Sequence, residues 1–69
     1  MKYLVVYEKS PTSWGACIPD LPALGVAATT LDEVKDLIRE AVEFHIEGML
    51  LHGEAVPEPT TLAELVEVG

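Results

Sequence analysis

The run from Thr30 to Gly53 constrains this chain more than any other feature, because it reads as one long capped helix. Apolar side chains recur at Leu31, Val34, Leu37, Ile38, Ala41, Val42 and Met49, with His45 in the same stripe, at the 3.6-residue period. Thr30-Leu31-Asp32-Glu33 has the form of a capping box, in which Thr30 caps the first turn and Glu33 reaches back. Asp32, Glu33 and Asp36 lie in the first two turns, where the positive end of the helix dipole favours them. Asp32, Lys35, Asp36, Arg39, Glu40, Glu43 and Glu47 cover the opposite side, and Gly53 is placed to end the helix as a left-handed cap.

The residues before the helix read as strands. Residues 2–8 are rich in β-branched and aromatic side chains. Tyr3, Val5 and Tyr7 fall on one face, Leu4 and Val6 on the other, and two apolar faces predict a central or doubly covered strand. Lys9-Ser10-Pro11-Thr12 is turn material, and 13–18 is the hairpin partner, with Gly15 marking a bulge or a close backbone approach. Pro19-Asp20-Leu21-Pro22 predicts a stiff crossing loop, since two prolines remove two donors and hold their neighbours extended. Residues 24–28 form a short third strand. After the helix, Val56-Pro57-Glu58-Pro59 is a stiff linker and 65–68 a fourth strand, although 60–64 also fits the start of a short helix. The expected class is α+β in the order β-β-β-α-β: an antiparallel or mixed sheet with one long amphipathic helix on one face.

Sixty-nine residues predict a single domain, 1–69, with a marginal core. The apolar fraction of 49 % is high for that size, and Phe44, Ile46, Leu50 and Leu51 cannot all point into one small core. They predict a second buried surface, formed with a partner copy or with the C-terminal segment; self-association is one of the few devices open to so small a domain. Cys17 is the single cysteine, so no internal disulfide exists, and it reads as a buried structural thiol in a reducing compartment. No signal peptide or membrane span is visible, which predicts a cytoplasmic protein.

Twelve acids against four bases give a formal charge of −8. Direct nucleic-acid binding needs Lys and Arg to displace phosphate counterions, and a membrane-surface helix needs a basic stripe; both are excluded. A basic protein partner suits the charge. Catalysis finds little support. Cys17 has no base beside it. His45 and His52 stand two helical turns apart, about 10 Å, too far to share one metal ion. Glu8 and Asp20 are the acids placed on the sheet layer, and Asp20 is expected to bond local backbone amides. Tyr3, Tyr7 and Trp14 read as packing residues, with Trp14 the interface anchor. Neither metal nor cofactor is expected.

The Tyr-rich hairpin, Trp14-Gly15, the Pro19-Asp20-Leu21-Pro22 loop, the Thr30-Leu31-Asp32-Glu33 helix start and Pro57-Glu58-Pro59 together resemble the HicB antitoxin family over residues 3–59. The resemblance implies a fold similar to half of an RNase H domain, without that enzyme's catalytic set. It also implies a partner: HicB antitoxins bind and mask HicA, a small basic ribonuclease toxin that cleaves messenger RNA. Full-length members usually carry a C-terminal DNA-binding module, and a domain without it is expected here. Residues 23–29 are less polar than the family pattern, which points to altered partner choice or to a solitary relative. The expected partner-binding residues are Trp14, Asp20, Leu21, Pro22, Glu40 and Glu43, and the expected oligomer-interface residues are Phe44, Ile46, Leu50 and Leu51. The alternative is a solitary homo-oligomer that is structural or binds a ligand and has no toxin.

Overall fold

Ser10 organises the first turn. Its hydroxyl accepts from the amides of Thr12 (3.4 Å) and Ser13 (3.1 Å), while its own amide donates to the Ser13 carbonyl at 2.9 Å. This side-chain mimic of a turn joins β1 (Val6–Lys9) to β2 (Trp14–Ile18) as an antiparallel hairpin with Tyr7 opposite Ala16. A tight turn at Pro19-Asp20 leads to β3 (Leu21–Ala28), antiparallel to β2 with Ala16 opposite Val26. The helix α1 (Leu31–Leu51) follows. The computed structural model describes residues 1–69, and the sheet order is β1-β2-β3.

The α+β class and the β-β-β-α order agree with the sequence reading. Two details differ. Leu21 and Pro22 belong to β3 rather than to a loop, with the pairing shifted between Cys17 and Ile18. A proline is tolerated there because β3 is an edge strand and the lost donor is not needed by a second neighbour. The fourth strand expected at 65–68 is not formed: no regular element follows α1, and Leu65 is fully exposed. Strand propensity alone does not make a strand without a partner that supplies its hydrogen bonds.

The sheet is covered on one face only. Ala16, Ile18 and Leu21 meet Val34 and Ile38 of α1 in the buried core, with Tyr3, Val5, Tyr7, Trp14, Leu24 and Val26 packed around it. The period-2 alternation sends Val6, Glu8, Gly15, Cys17, Gly25 and Ala27 to the other face. Cys17 is therefore exposed, not buried as expected, and β1 is an edge strand rather than a doubly covered one. Apolar character on both faces of β1 was not a sign of two coverings.

The helix ends are as the sequence indicates. The Thr30 hydroxyl accepts from the Glu33 amide (3.2 Å) and, like that of Thr29, donates to the Glu33 carboxylate (3.0 and 3.1 Å). At the other end Gly53 adopts φ 68°, its amide reaching the Leu50 carbonyl and the Glu54 amide the Met49 carbonyl. These are the two bonds of a Schellman cap, which glycine alone enters without steric cost. His52 Nδ1 lies 2.7 Å from the Gly48 carbonyl. Gly48 is less easily explained. It sits inside the helix, where glycine costs about 1 kcal/mol relative to alanine, and a Cβ there would meet nothing within 4 Å.

Candidate partner-binding surface

The helix divides the exposed side chains into three longitudinal bands. Asp32, Asp36, Glu40, Glu43 and Glu47 form an acidic band on the solvent side, all of them exposed. At 100° per residue, Leu37, Phe44 and Leu51 fall on one flank of that band, 40 %, 79 % and 80 % exposed. Ile46 and Leu50 fall on the other flank, where they line an open groove of about 560 Å³ with Met1, Tyr3 and Val42. Glu43 and Glu47 form its rim. The four residues expected at an oligomer interface thus occupy two separate flanks. Leu37, assigned by its spacing to the core stripe, stands with Phe44 and Leu51 instead.

The residues expected to meet a partner are also dispersed. Glu40 and Glu43 lie in the acidic band, and Pro22 is exposed on β3. Leu21 is a core residue, only 3 % exposed, so its side chain is not available to a partner. Trp14 is half-buried and packed against the core on the helix side of β2, opposite Lys9 on one strand and Ala28 on the other. Alternation along β2 puts it on the same face as Ala16, which is why it packs inward.

Asp20 has a different role from the one its sequence neighbourhood suggests. Its carboxylate accepts four hydrogen bonds from residues forty and forty-one positions away: the Thr60 amide (3.0 Å) and hydroxyl (3.1 Å), and the Thr61 amide (3.1 Å) and hydroxyl (2.7 Å). The bonds from Thr61, hydroxyl first and then amide, hold this carboxyl below the usual carboxylate range; desolvation opposes them, and those from Thr60 add to them. The expected bonds to local amides are replaced by this long-range clamp. Nearby the Tyr3 hydroxyl donates to the Pro57 carbonyl. Burial, then the negative charges of Glu58 and Asp20, push the Tyr3 phenol above its usual value, so it stays a neutral donor. Sequence periodicity carries no signal for either contact. The segment leaves this clamp with Leu62, Leu65, Val66 and Val68 all exposed, and so does not cover Phe44 or Leu51.

No three His, Cys, Asp or Glu side chains are gathered where they could hold a metal ion. No helix is long and apolar enough to cross a membrane. Fold and surface define a small α+β domain that presents an acidic helix and two apolar flanks outward. Its family follows from comparison with known proteins: the family model for the "HicB_like antitoxin of bacterial toxin-antitoxin system" matches residues 3–68. The chain belongs to that family, as the spacing of its loop, helix start and Pro-Glu-Pro linker indicated. It is also 33 % identical over 66 residues to an uncharacterized 14.9 kDa protein of the rep-hol intergenic region of Haemophilus phage HP1 (strain HP1c1). That match covers 96 % of this chain and 50 % of the phage protein, so the chain spans half the length of this relative. No solved structure matches it significantly.

Proposed function

We propose that this chain is a non-catalytic, cytoplasmic antitoxin that binds a small basic mRNA-cleaving toxin of the HicA kind and covers its RNA-binding surface. Family membership supports a toxin–antitoxin role. The observation that carries the mechanism is the acidic band Asp32, Asp36, Glu40, Glu43 and Glu47, which aligns five carboxylates along the solvent side of α1. A surface that binds RNA is basic, and the same charges that attract phosphate attract a row of carboxylates. Glu40 and Glu43 are the central contacts in this reading.

Mixing the chain with such a toxin at rising salt tests the proposal. Affinity falling steeply between 50 and 500 mM salt, together with loss of RNA cleavage, is the expected result. Binding indifferent to salt removes the electrostatic mechanism, and absence of binding removes the toxin. The second reading, a solitary homo-oligomer, is favoured by one observation: Phe44 and Leu51 remain about four-fifths exposed in the lone chain. Self-association is compatible with both readings.

A further inference from the structure

The flank of α1 that carries Phe44 and Leu51 has a pattern the lone chain does not use. Along it, large and small residues alternate: Leu37, Ala41, Phe44, Gly48, Leu51. The spacing is 4, 3, 4, 3, a heptad seam with large residues at one position and small ones at the other. Gly48 weakens the helix, and nothing within 4 Å of a Cβ there requires its absence. The helix lies over β2 and β3, and its opposite flank (Lys35, Arg39, Val42) faces the β1 side with Val5 and Tyr7. The seam therefore overhangs the open β3 edge, clear of the sheet. The only other cover within the chain, its C-terminal segment, runs past Tyr3 and Asp20 instead.

We infer that this seam packs against the same seam of a second copy, antiparallel, about a two-fold axis at the level of residue 46. In that register Phe44 of each copy sits over Gly48 of the other, and Leu51 over Ala41. Phe44 and Leu51 then each meet a small residue, while Leu37 lies beyond the end of the partner helix, and the relation is reciprocal, as a two-fold interface requires. The helix dipoles oppose each other favourably. Small residues at the crossing let the axes approach to about 8 Å, the near end of the usual 8–10 Å range. The two Phe44 rings alone bring about 300–500 Å² towards the roughly 1,200 Å² at the low end of stable interfaces. Glu47 borders the seam one residue from the axis and so lies close to its counterpart, and both copies are acidic, so salt strengthens this contact while it weakens binding of a basic toxin. This assigns the self-association proposed above to one surface and is independent of the toxin.

Sedimentation equilibrium on the full chain at 0.1 and 0.5 M salt tests it, with Gly48→Leu as the variant. The expected result is a dimer that tightens with salt. The variant should raise its dissociation constant about tenfold or more by overfilling the hole, while its helix signal at 222 nm is kept or increased, since leucine is the better helix former. An isotope-filtered NOE experiment on mixed labelled and unlabelled chains should show Phe44 ring protons contacting Gly48 of the other copy. A chain that stays monomeric at all concentrations overturns self-association itself. A dimer unaffected by Gly48→Leu and lacking that NOE overturns this surface and leaves self-association standing.

Discussion

Asp20 and Thr61 are forty-one residues apart, yet Thr61 donates its amide to one carboxylate oxygen of Asp20 at 3.1 Å and its hydroxyl to the other at 2.7 Å. This pair, repeated by Thr60, ties the segment after α1 to the β2–β3 turn. Asp20→Asn replaces one of the two acceptor oxygens with an amide donor, so half of the clamp is lost and the other half weakened. Hydrogen exchange at the Thr60 and Thr61 amides should rise sharply while the far-UV helix signal stays unchanged. Unaltered protection at these two amides would exclude the clamp.

The same clamp makes the segment pH-sensitive. Because the folded-state pKa of Asp20 is lowered, its contribution is fully present above the ordinary carboxylate value of about 3.9 and is lost as pH falls through the depressed folded value. Tyr3 works in the opposite sense: its raised pKa keeps its contact with Pro57 through the ordinary tyrosine range near 10 and loses it only above that. Following the Thr60 and Thr61 amide resonances from acid to alkaline pH should show the acid step below pH 4. A midpoint at or above the ordinary carboxylate value would contradict the hydrogen-bond account.

Ile38 is 2 % exposed in the core, whereas Leu65 is fully exposed. Ile38→Ala should cost about 2–5 kcal/mol through lost burial and a residual cavity. At roughly 0.05–0.15 kcal/mol per residue the whole chain is worth only about 3–10 kcal/mol, so this variant should lose a large share of its stability and melt well below the parent. Leu65→Ala should change stability by no more than about 0.5 kcal/mol. Thermal melts of the two variants decide the matter, and equal losses would mean that the core is misplaced.

Thr30 and Glu33 bond each other in both directions at the start of α1. Thr30→Ala should cost about 1 kcal/mol, within a range of roughly 0.5–2, and Thr30→Ser should recover most of it. Denaturant titration reads both, and a serine variant no better than alanine would remove the cap.

Cys17 projects from the uncovered face of the sheet. A thiol reagent should therefore modify it in the native chain at a rate that urea does not greatly increase. Protection released only on unfolding would show that something covers this face, such as a partner copy.

Local chemistry determined the helix and the hairpin. Thr30, Glu33 and Gly53 act within a few residues of themselves, and the 3.6 and 2.0 periods are properties of the backbone, so sequence order alone locates α1 and β2 and establishes the existence of β1, though not its start. Family membership was equally legible, because Pro19-Asp20-Leu21-Pro22, Thr30-Leu31-Asp32-Glu33 and Pro57-Glu58-Pro59 keep their order and spacing. Tertiary structure decided what faces what. A period of two tells that Cys17 and Ala16 point to opposite faces but not which face the helix covers, so the exposure of Cys17 is not legible in it; nor is the burial of Leu21, whose proline neighbours read as a loop. The fourth strand failed for a related reason: a strand exists only where another edge supplies its hydrogen bonds, and the Asp20 clamp directs residues 62–68 away from the body of the chain. The clamp itself joins positions forty residues apart, and no periodicity along a chain records a contact of that range.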